Sequence, residues 1–424
     1  MKIFLLLFTV ITLFISHSPQ AQTCPGDVII IEDDNLSVWK VESNGSQIFS
    51  LAEFQGSINI GGIDYFQDAF DFDARGLVLM AHDMTGGLLW STQIQGTSFF
   101  TTNPALAVDA SHVYVSATSS ENGDIEHQLK VEQYSALDGS PGWSNVFGIT
   151  NTGNSPLPFG AQINPYSSGI DGSGRLIIAG TFANNVDLGS TTLSIGPGLS
   201  ETFVMAVDTG DGTDLWATQS NGSLNRGRAW TVEISPTDEV LIGGHFTGSI
   251  DFGGVGFTAS DNTSTNPYIA KLNATDGAQI WLQGIDGQTP GSFNNIYDIT
   301  TDPSGNVFYA GAFFDALDVQ GNIVNSGPSG DGGVDALVGA MDPSGNYLWA
   351  IQLGGQSTVD EFATTLGFSN NATSLYAGVQ LGTDSLYYQI NFLGDPVLSG
   401  HFVFGMAPAD GASDANLWNN ICNV

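Results

Sequence analysis

Basic residues are almost absent from this chain of 424 residues. It carries 8 Lys and Arg against 43 Asp and Glu, which gives a formal net charge of −35. A surface this acidic repels phosphate backbones and anionic membranes, so the charge argues against nucleic acid as a partner. Cations, Ca²⁺ among them, are attracted to such a surface, but the charge alone predicts no cofactor and no specific metal site.

Long hydrophobic runs are also missing, apart from one at the N-terminus. Lys2 is followed by the apolar run Ile3–Ile15 and then by small and polar residues up to Ala21. This pattern is typical of a secretory signal peptide, so we expect residues 1–21 to be cleaved off. No later run has the length that a transmembrane segment needs. We therefore expect residues 22–424 to be soluble and extracellular or at the cell surface, with the periplasm as an alternative.

Cysteine is nearly lacking too. The two cysteines, Cys24 and Cys422, lie at opposite ends of the mature chain. In an exported protein such a pair predicts a disulfide, which on the chain-entropy account stabilises the fold by about 4–5 kcal/mol. The alternative is a lipidated Cys24, but Thr23 is a poor residue to precede a lipidated cysteine.

Familiar catalytic motifs are absent as well. The histidines after the signal peptide form no HExxH motif or other i,i+4 ligand pair, and there is no G-x-S-x-G elbow and no candidate cysteine nucleophile. The sequence therefore predicts no catalytic residue and no metal ligand. Because Asp and Glu are so abundant, a pair of catalytic carboxylates of the glycosidase kind stays open.

What the chain does have is a repeat of short apolar runs and tight turns, seen most clearly in residues 294–355. Four short strands in about sixty residues make a sheet too small to bury both faces, so such units must stack. The sequence predicts an all-β fold, a single β-propeller with seven blades of mostly four antiparallel strands. The predicted blades are residues 27–56, 60–96, 103–148, 165–222, 228–286, 294–355 and 361–424.

Glycine and aspartate recur at fixed positions in three of these units. Gly180, Gly244 and Gly311 stand in apolar strands, where we expect them to let neighbouring blades approach closely. Seven residues after each glycine stands an aspartate, and these three are Asp187, Asp251 and Asp318. A ring of such carboxylates is a weak candidate for cation binding. We favour closure of a local turn, with the next residue filling the core between blades.

Tryptophan recurs after an Asp–Gly or Asn–Gly turn near the end of most units. A buried indole at a fixed place covers roughly 150–250 Å² and can dock each blade on its neighbour. We favour this structural role over ligand stacking. The predicted docking residues are Trp90, Trp143, Trp216, Trp281, Trp349 and Trp418.

The combination of these motifs resembles a known family. The strand "DPSGNVFYAGAF", the triplet "DFG" and the turns that end in tryptophan are similar to SBBP repeats, the repeats of secreted bacterial β-propellers, best over residues 166–355. The tryptophan pattern is also similar to the docking motif of quinoprotein propellers. The adjacent cysteines of quinoprotein enzymes are absent, and no residue matches the rest of their site. The resemblance therefore implies the architecture alone.

The connections between strands predict where a ligand binds. In a propeller, the turns from strand one to two and from three to four share one face, and here they are tight. The long connections share the other face, and we expect recognition there. They are residues 147–165, 184–201, 248–266, 315–334 and 383–400. Aromatic candidates on this face are Phe257, Tyr268, Tyr387 and Tyr388.

The predicted function is that of a secreted, non-catalytic scaffold that binds a protein or carbohydrate ligand at the cell surface. One alternative is a hydrolase or lyase acting on polysaccharide with acidic residues in the central channel. Another is an accessory subunit that docks on an outer-membrane transport or secretion complex. The fold does not separate these functions, because propellers host many of them.

Overall fold

The computed structural model describes an all-β chain. It covers residues 36–66, 75–99, 104–119, 128–148, 163–196, 199–224, 226–326, 333–353, 360–368, 375–380 and 401–406. Over these ranges the chain forms strands and turns without a helix, so none of them supplies a helix able to cross a membrane. This agrees with a sequence rich in β-branched and aromatic residues between glycine turns.

The first two sheets follow one plan of four antiparallel strands, and the first also carries an inserted hairpin. Their strands are β1 (Leu36–Ser43), β2 (Gln47–Phe54), β3 (Ser57–Ile60), β4 (Ile63–Phe66), β5 (Arg75–Asp83), β6 (Leu88–Phe99), β7 (Ala105–Val108), β8 (His112–Ser119), β9 (Gln128–Ser135) and β10 (Pro141–Phe147). The first sheet has the order β1-β2-β5-β6, and β3 pairs with β4 alone.

The third and fourth sheets repeat the plan, again with a hairpin between the second and third strands. The strands are β11 (Ile163–Ile170), β12 (Arg175–Ala183), β13 (Asn185–Asp187), β14 (Thr192–Ser194), β15 (Ser200–Asp208), β16 (Asp214–Gln219), β17 (Arg228–Ile234), β18 (Glu239–Phe246), β19 (Ser249–Ile250), β20 (Phe257–Thr258), β21 (Asn266–Asn273) and β22 (Gln279–Gly284). The inserted hairpins are β13–β14 and β19–β20.

The fifth sheet has four strands and the sixth has three among the described residues. The strands are β23 (Asp286–Gly287), β24 (Asn295–Thr301), β25 (Val307–Phe314), β26 (Ala316–Val319), β27 (Asn322–Asn325), β28 (Val334–Met341), β29 (Tyr347–Leu353), β30 (Phe362–Phe368), β31 (Leu375–Gln380) and β32 (His401–Met406). The inserted hairpin of the fifth sheet is β26–β27, which β23 extends to three strands.

The predicted boundary between blades 27–56 and 60–96 is wrong. Strands β2 and β5 pair along residues 47–54 and 76–83, so both ranges belong to the first sheet. Residues 57–66 form the hairpin between these strands, and the apolar alternation of this hairpin gives the same signal as the start of a new blade. The described residues thus form six sheets where seven blades were predicted.

Buried apolar side chains fill the interface between consecutive sheets. Between the third and fourth sheets, one cluster includes Ile177, Val204, Ile242 and Tyr268. Similar clusters join the first sheet to the second, the second to the third, the fourth to the fifth and the fifth to the sixth. Each fully buried side chain of this size contributes roughly 1.5–3 kcal/mol, so face-to-face packing holds the sheets together.

The first strands of the sheets converge on a common centre. Lys40 in β1 and Asp298 in β24 belong to the first and fifth sheets, yet their charges interact. Glu233 in β17 likewise senses the charge of Glu42 in β1. Sheets that pack face to face around a central channel form a β-propeller, and the predicted fold class is confirmed.

Candidate binding site in the central channel

A β-bulge occurs at the same place in five of the first strands. In four of them the residue that lacks a partner on the second strand is aromatic. These residues are Trp39 in β1, Tyr166 in β11, Trp230 in β17 and Tyr297 in β24. A bulge bends the strand and re-aims the side chain of the extra residue. The repeated bulge therefore orients one aromatic side chain on each of four first strands.

Glycines on the second strands make room for these bulges. A Cβ at Gly180, Gly244 or Gly311 would come 1.9, 1.9 or 2.0 Å from a carbonyl oxygen of the first strand. The expectation that these glycines let neighbouring blades approach is wrong for these three, because the close contact joins two strands of one sheet. It is right for Gly243, which is paired with Gly244, since a Cβ there would lie 2.6 Å from Ile299 of the next sheet. Any side chain here would push the first strand away from its partner.

Four neighbouring sheets contribute aromatic rings to one cluster. The cluster lies at the upper face, by which we mean the end of the propeller where the first strands begin. The ring of Trp230 lies 4.8 Å from that of Tyr166 and 6.0 Å from that of Tyr297, between centroids. Phe362 continues the series, 6.2 Å from Tyr297. The guanidinium carbon of Arg228 lies 4.7 Å from the Trp230 ring centre and 5.2 Å from that of Tyr166. Cation–π contacts thus fix the plane of Arg228.

A histidine and an asparagine lie behind the Trp230 indole. Trp230 Nε1 donates to Asn295 Oδ1 over 3.2 Å, and the same oxygen contacts His245 Nδ1. Burial, helped by the charge of Arg228, lowers the pKa of His245 to about 4, so its imidazole is neutral at neutral pH. Trp230 Nε1 also lies 3.2 Å from His245 Nδ1, so the indole, the imidazole and the amide form one polar group.

Three carboxylates and one ammonium group lie further along the first strands, toward the opposite, lower face. Burial raises the pKa of Glu42 and of Glu233 to about 7 and also raises that of Asp298. Burial lowers the pKa of Lys40. Glu42 is exposed to water. Protein nevertheless surrounds its carboxyl group closely enough for desolvation to be the largest cause of its raised pKa. The channel therefore has a ring-lined mouth and an acidic interior.

Polar links also join the first strands to one another. Asp298 accepts hydrogen bonds from the amide of Leu366 in β30 over 2.7 Å and from the hydroxyl of Thr231 in β17 over 3.1 Å. Ser167 Oγ in β11 accepts from the amide of Val232 in β17 over 3.1 Å. Asp298 thus ties three consecutive sheets together at the channel wall.

The tryptophans predicted to dock the blades stand on the outer strands. Four of them donate Nε1–H to a carbonyl in a turn of the next sheet, over 2.9 to 3.1 Å. The pairs are Trp90 with Ala136, Trp143 with Thr209, Trp216 with Ala274 and Trp281 with Pro343. A turn glycine lies against each indole, so that a Cβ would approach the ring to 3.0 Å or less. Trp349 is buried against Phe308, and Trp418 lies outside the described residues.

The three repeated aspartates lie at the seams between sheets. Each side chain accepts a hydrogen bond from a glycine amide two or three residues later. The backbone of each pairs with the chain that leaves the preceding sheet. These backbone pairs are Asp187 with Gly148, Asp251 with Asn221 and Asp318 with Asp286. In the described part of the chain, no three His, Cys, Asp or Glu residues are grouped to hold a metal ion.

The long connections are hairpins that fold back along the outer strands of their own sheets. In the third sheet, Ser194 donates to Gln219 near the upper face and Ser190 donates to Asp214 near the lower face. The hairpins β3–β4, β19–β20 and β26–β27 also contact the fourth strand of their sheets. Among the described residues, the predicted long connections 184–201, 248–266 and 315–334 thus contain hairpins that pack on the fourth strands of their sheets.

The aromatic residues predicted on the long connections are not the ones gathered at the channel. Tyr268 is fully buried in the core, and Phe257 packs half-buried against the same cluster. Besides Trp418, four residues named from the sequence lie outside the described ranges, and these are Cys24, Tyr387, Tyr388 and Cys422. The predicted disulfide and its alternative therefore stay predictions.

Sequence reasoning missed Arg228, Asn295 and the bulged rings, although a signal for the rings exists. Tyr166, Trp230 and Tyr297 each stand fourteen residues before the glycine that faces the bulge. The constant offset pairs an aromatic residue with a glycine across one hairpin. Arg228 and Asn295 stand at the equivalent position of their sheets, sixteen residues before the glycine, where the third sheet has Asn164. The residue type at this position changes from sheet to sheet, so the repeat does not mark it as a binding position.

Comparison with known proteins adds structural neighbours but no family. Neither the protein-family models nor the curated proteins searched match this chain. Its structure is similar to quinohemoprotein alcohol dehydrogenase ADHIIG from Pseudomonas putida HK5, with 12% identity and a TM-score of 0.40 over 80% of this chain and 57% of that one. For BamB from Moraxella catarrhalis the values are 13%, 0.36, 81% and 80%, and for the Dos1 propeller 12%, 0.40, 80% and 75%. Likenesses this remote carry no argument about function.

Proposed function

We propose that this chain is a secreted, non-catalytic β-propeller scaffold that binds a glycan at the upper mouth of its channel. The observation that carries the proposal is the cluster of rings around Arg228, to which four sheets contribute. Sugar rings pack on aromatic faces, and fixed polar groups orient their hydroxyls. A protein ligand on the same face is the alternative.

Secretion and membership of the SBBP-type propellers belong to the same proposal. Secretion is supported by the basic start and apolar run of residues 1–21, and the family by the repeated motifs of residues 166–355. A cell-surface location would bring the channel mouth into contact with extracellular polysaccharide.

A glycan array probed with the purified protein tests this function, followed by calorimetric titration of any glycan that binds. Tyr297→Ala removes one ring of the cluster and is expected to lower the affinity about tenfold, or about 1.4 kcal/mol. Phe66→Ala is the control, because this ring is 64% exposed on hairpin β3–β4, away from the channel. Binding of no glycan, or an equal loss with both variants, would contradict the proposal.

A polysaccharide hydrolase or lyase is the second candidate, and the acidic channel interior favours it. Carboxyl groups with a pKa of about 7, such as those of Glu42 and Glu233, can act as general acids near neutral pH. Release of reducing ends or of unsaturated sugars from polysaccharide would support an enzyme if Glu233→Gln abolishes it. Intact polysaccharide after prolonged incubation across the neutral pH range would reject it.

Docking on an outer-membrane transport or secretion complex is a third proposal. It would replace glycan binding if the protein bound no glycan and instead co-purified from its host with a defined outer-membrane complex, in proportions that survive extensive washing. A variant with Tyr297→Ala should then still co-purify.

A further inference from the structure

We propose that the channel mouth binds the carboxylate of an acidic sugar, of the uronic-acid type, through the Arg228 guanidinium and the Asn295 amide. The inference rests on the proposed glycan-binding function and names the class of glycan. It rests on two hydrogen-bond donors that belong to the same cluster and have no acceptor among the described residues.

Arg228 is the first of these donors. Its guanidinium lies against the rings of Trp230 and Tyr166, at 4.7 and 5.2 Å, so the two rings hold it in place before a ligand arrives. Among the described residues, Lys130, Arg175 and Lys271 each form an ion pair with a nearby carboxylate. Arg228 forms none within those ranges, although acidic residues outnumber basic ones fivefold in this chain. Its N–H edge is therefore available to a carboxylate, which it can bind with two parallel hydrogen bonds.

Asn295 is the second donor. Its side chain is fully buried, and its Oδ1 accepts from Trp230 Nε1 over 3.2 Å, which places the amide inside the cluster. Its Nδ2 finds no hydrogen-bond partner in the described protein. The Asn295 amide lies next to Tyr297, where it opposes the rise in the pKa of Tyr297 that burial causes. A buried donor left unpaired costs about 1–3 kcal/mol, so a ligand oxygen that accepts from Nδ2 gains by relieving this cost.

The neighbouring groups suit a sugar better than a simple anion. His245 is neutral, and its ring lies 6.2 Å from that of Trp230, where it can exchange a hydrogen bond with a sugar hydroxyl. Phe293 is 46% exposed and lies 6.3 Å from the His245 ring, where it can cover the apolar face of a sugar. Tyr297 adds a second ring on the other side of Trp230. A carboxylate next to a ring of hydroxyls matches this arrangement of one cation, polar acceptors and aromatic faces.

The negative charge of the whole protein does not prevent such binding. Exposed charges further than about 8 Å from the ligand are largely screened at physiological ionic strength. The ligand would contact Arg228 directly, where attraction acts at short range.

A galacturonic acid oligosaccharide and its fully methyl-esterified form are the probes that test this inference, because esterification replaces each charged carboxylate by a neutral methyl ester and leaves the sugar rings unchanged. Calorimetric titration is expected to show binding of the acid and at least tenfold weaker binding of the ester. Arg228→Gln should weaken binding of the acid at least tenfold and leave the ester unchanged. Arg226→Gln is the matched control, because this exposed arginine lies outside the channel.

Arg228→Lys keeps the charge and guards against misfolding of the glutamine variant. It is expected to bind the acid with intermediate affinity and to melt like the parent protein. Equal affinity for acid and ester, or an equal loss with Arg226→Gln, would overturn the inference while leaving glycan binding intact. Tighter binding of a peptide with a free C-terminal carboxylate than of the sugar acid would overturn the sugar assignment. Failure of every glycan would remove the proposed function itself.

Discussion

Glu201 illustrates how burial sets the charge of single residues in this acidic protein. Its side chain is 3% exposed, and its carboxylate accepts from the hydroxyl of Ser220. Burial raises the pKa of Glu201 to about 7, while a carboxyl in the unfolded chain titrates near 4.5. Between these values the folded state binds more protons than the unfolded state. The free energy of unfolding therefore falls as the pH rises from about 4.5 to 7.

We predict that Glu201→Gln stabilises the protein at pH 8 and not at pH 4. The neutral amide avoids the buried charge that the carboxylate must carry at high pH. The pKa difference sets an upper bound of roughly 3 kcal/mol on the gain. Urea unfolding at the two pH values measures it.

Asp261 provides a control of opposite sign. Hydrogen bonds from Ser264 and Thr263 lower its pKa to about 2, so its contribution is present above about pH 4 and is lost as the pH falls through 2. Asp261→Asn should therefore destabilise the protein at pH 7 and have little effect at pH 2. A gain in stability from Glu201→Gln at pH 4 as large as at pH 8 would contradict this account of burial.

Residue roles were only partly accessible from the sequence. The turn aspartates and the tryptophans stand in repeated motifs, so the motifs alone predict local turns and docking points. Arg228, His245 and Asn295 come together from three strands of two sheets, and nothing in their local sequence indicates it. Their burial and the lowered pKa of His245 depend on neighbours that only the folded propeller supplies.

Strand bulges at the channel depend on the absence of a side chain opposite them. We predict that Gly244→Ala lowers the free energy of unfolding by about 3 kcal/mol, because its Cβ would lie 1.9 Å from the Arg228 carbonyl oxygen. It should also weaken glycan binding, since the bulge positions Trp230. Chemical denaturation and calorimetric titration measure the two effects.

Gly367→Ala is the matched control for this prediction. Gly367 also lies in a strand, β30, but a Cβ there would meet no atom within 4 Å. Its substitution should change the stability by no more than about 0.5 kcal/mol. Similar effects of both substitutions would show that the bulge does not require glycine.

Indoles on the outer strands make a separate, testable contribution. We predict that Trp216→Phe costs about 2 kcal/mol, because it keeps most of the ring but removes the donor that satisfies the Ala274 carbonyl over 2.9 Å. Thermal unfolding of the variant measures the loss. Leu215→Ala on the neighbouring, 43% exposed side chain should have a smaller effect, and the reverse order would speak against docking through the indole N–H.

Elements of the repeat were predictable where the pattern is local. Strand–turn–strand units of residues 166–355 follow from apolar alternation and turn residues, and the structure has them. The bulges escaped prediction because Gly180, Gly244 and Gly311 fit two explanations equally well, close blades or close strands. The hairpins escaped because their two to four residues per strand are too short to be told from loops.

At the scale of the whole molecule, the ring brings together residues that are far apart in sequence. We predict that Lys40→Met and Asp298→Asn are not additive, with a coupling of about 0.5–1 kcal/mol in a double-mutant cycle of unfolding free energies. Lys40→Met with Asp276→Asn, a substitution in an exposed turn of the fourth sheet, should be additive. Additivity of the first pair would contradict convergence of the first and fifth sheets.

The architecture of the whole followed from the repeat, but the boundary between the predicted blades 27–56 and 60–96 did not. Each unit predicts that its neighbours stack on it, and a closed ring is the simplest outcome. To count the blades from the sequence, one must separate hairpins that belong to the sheet of a blade from hairpins inserted between two of its strands. Residues 57–66 are such an inserted hairpin. The proximity of β1 and β24 is a property of the ring that no single repeat contains.

The hairpins that lie along the outer strands have a practical consequence. Their turn glycines Gly62, Gly253 and Gly321 have open space around them, and the strands on either side of each insertion pair without interruption. A foreign peptide or an affinity tag inserted at Gly62 or Gly321 would project from the outer side of the propeller. The protein could then be anchored to a sensor surface by its flank, with the channel mouth turned toward the solution.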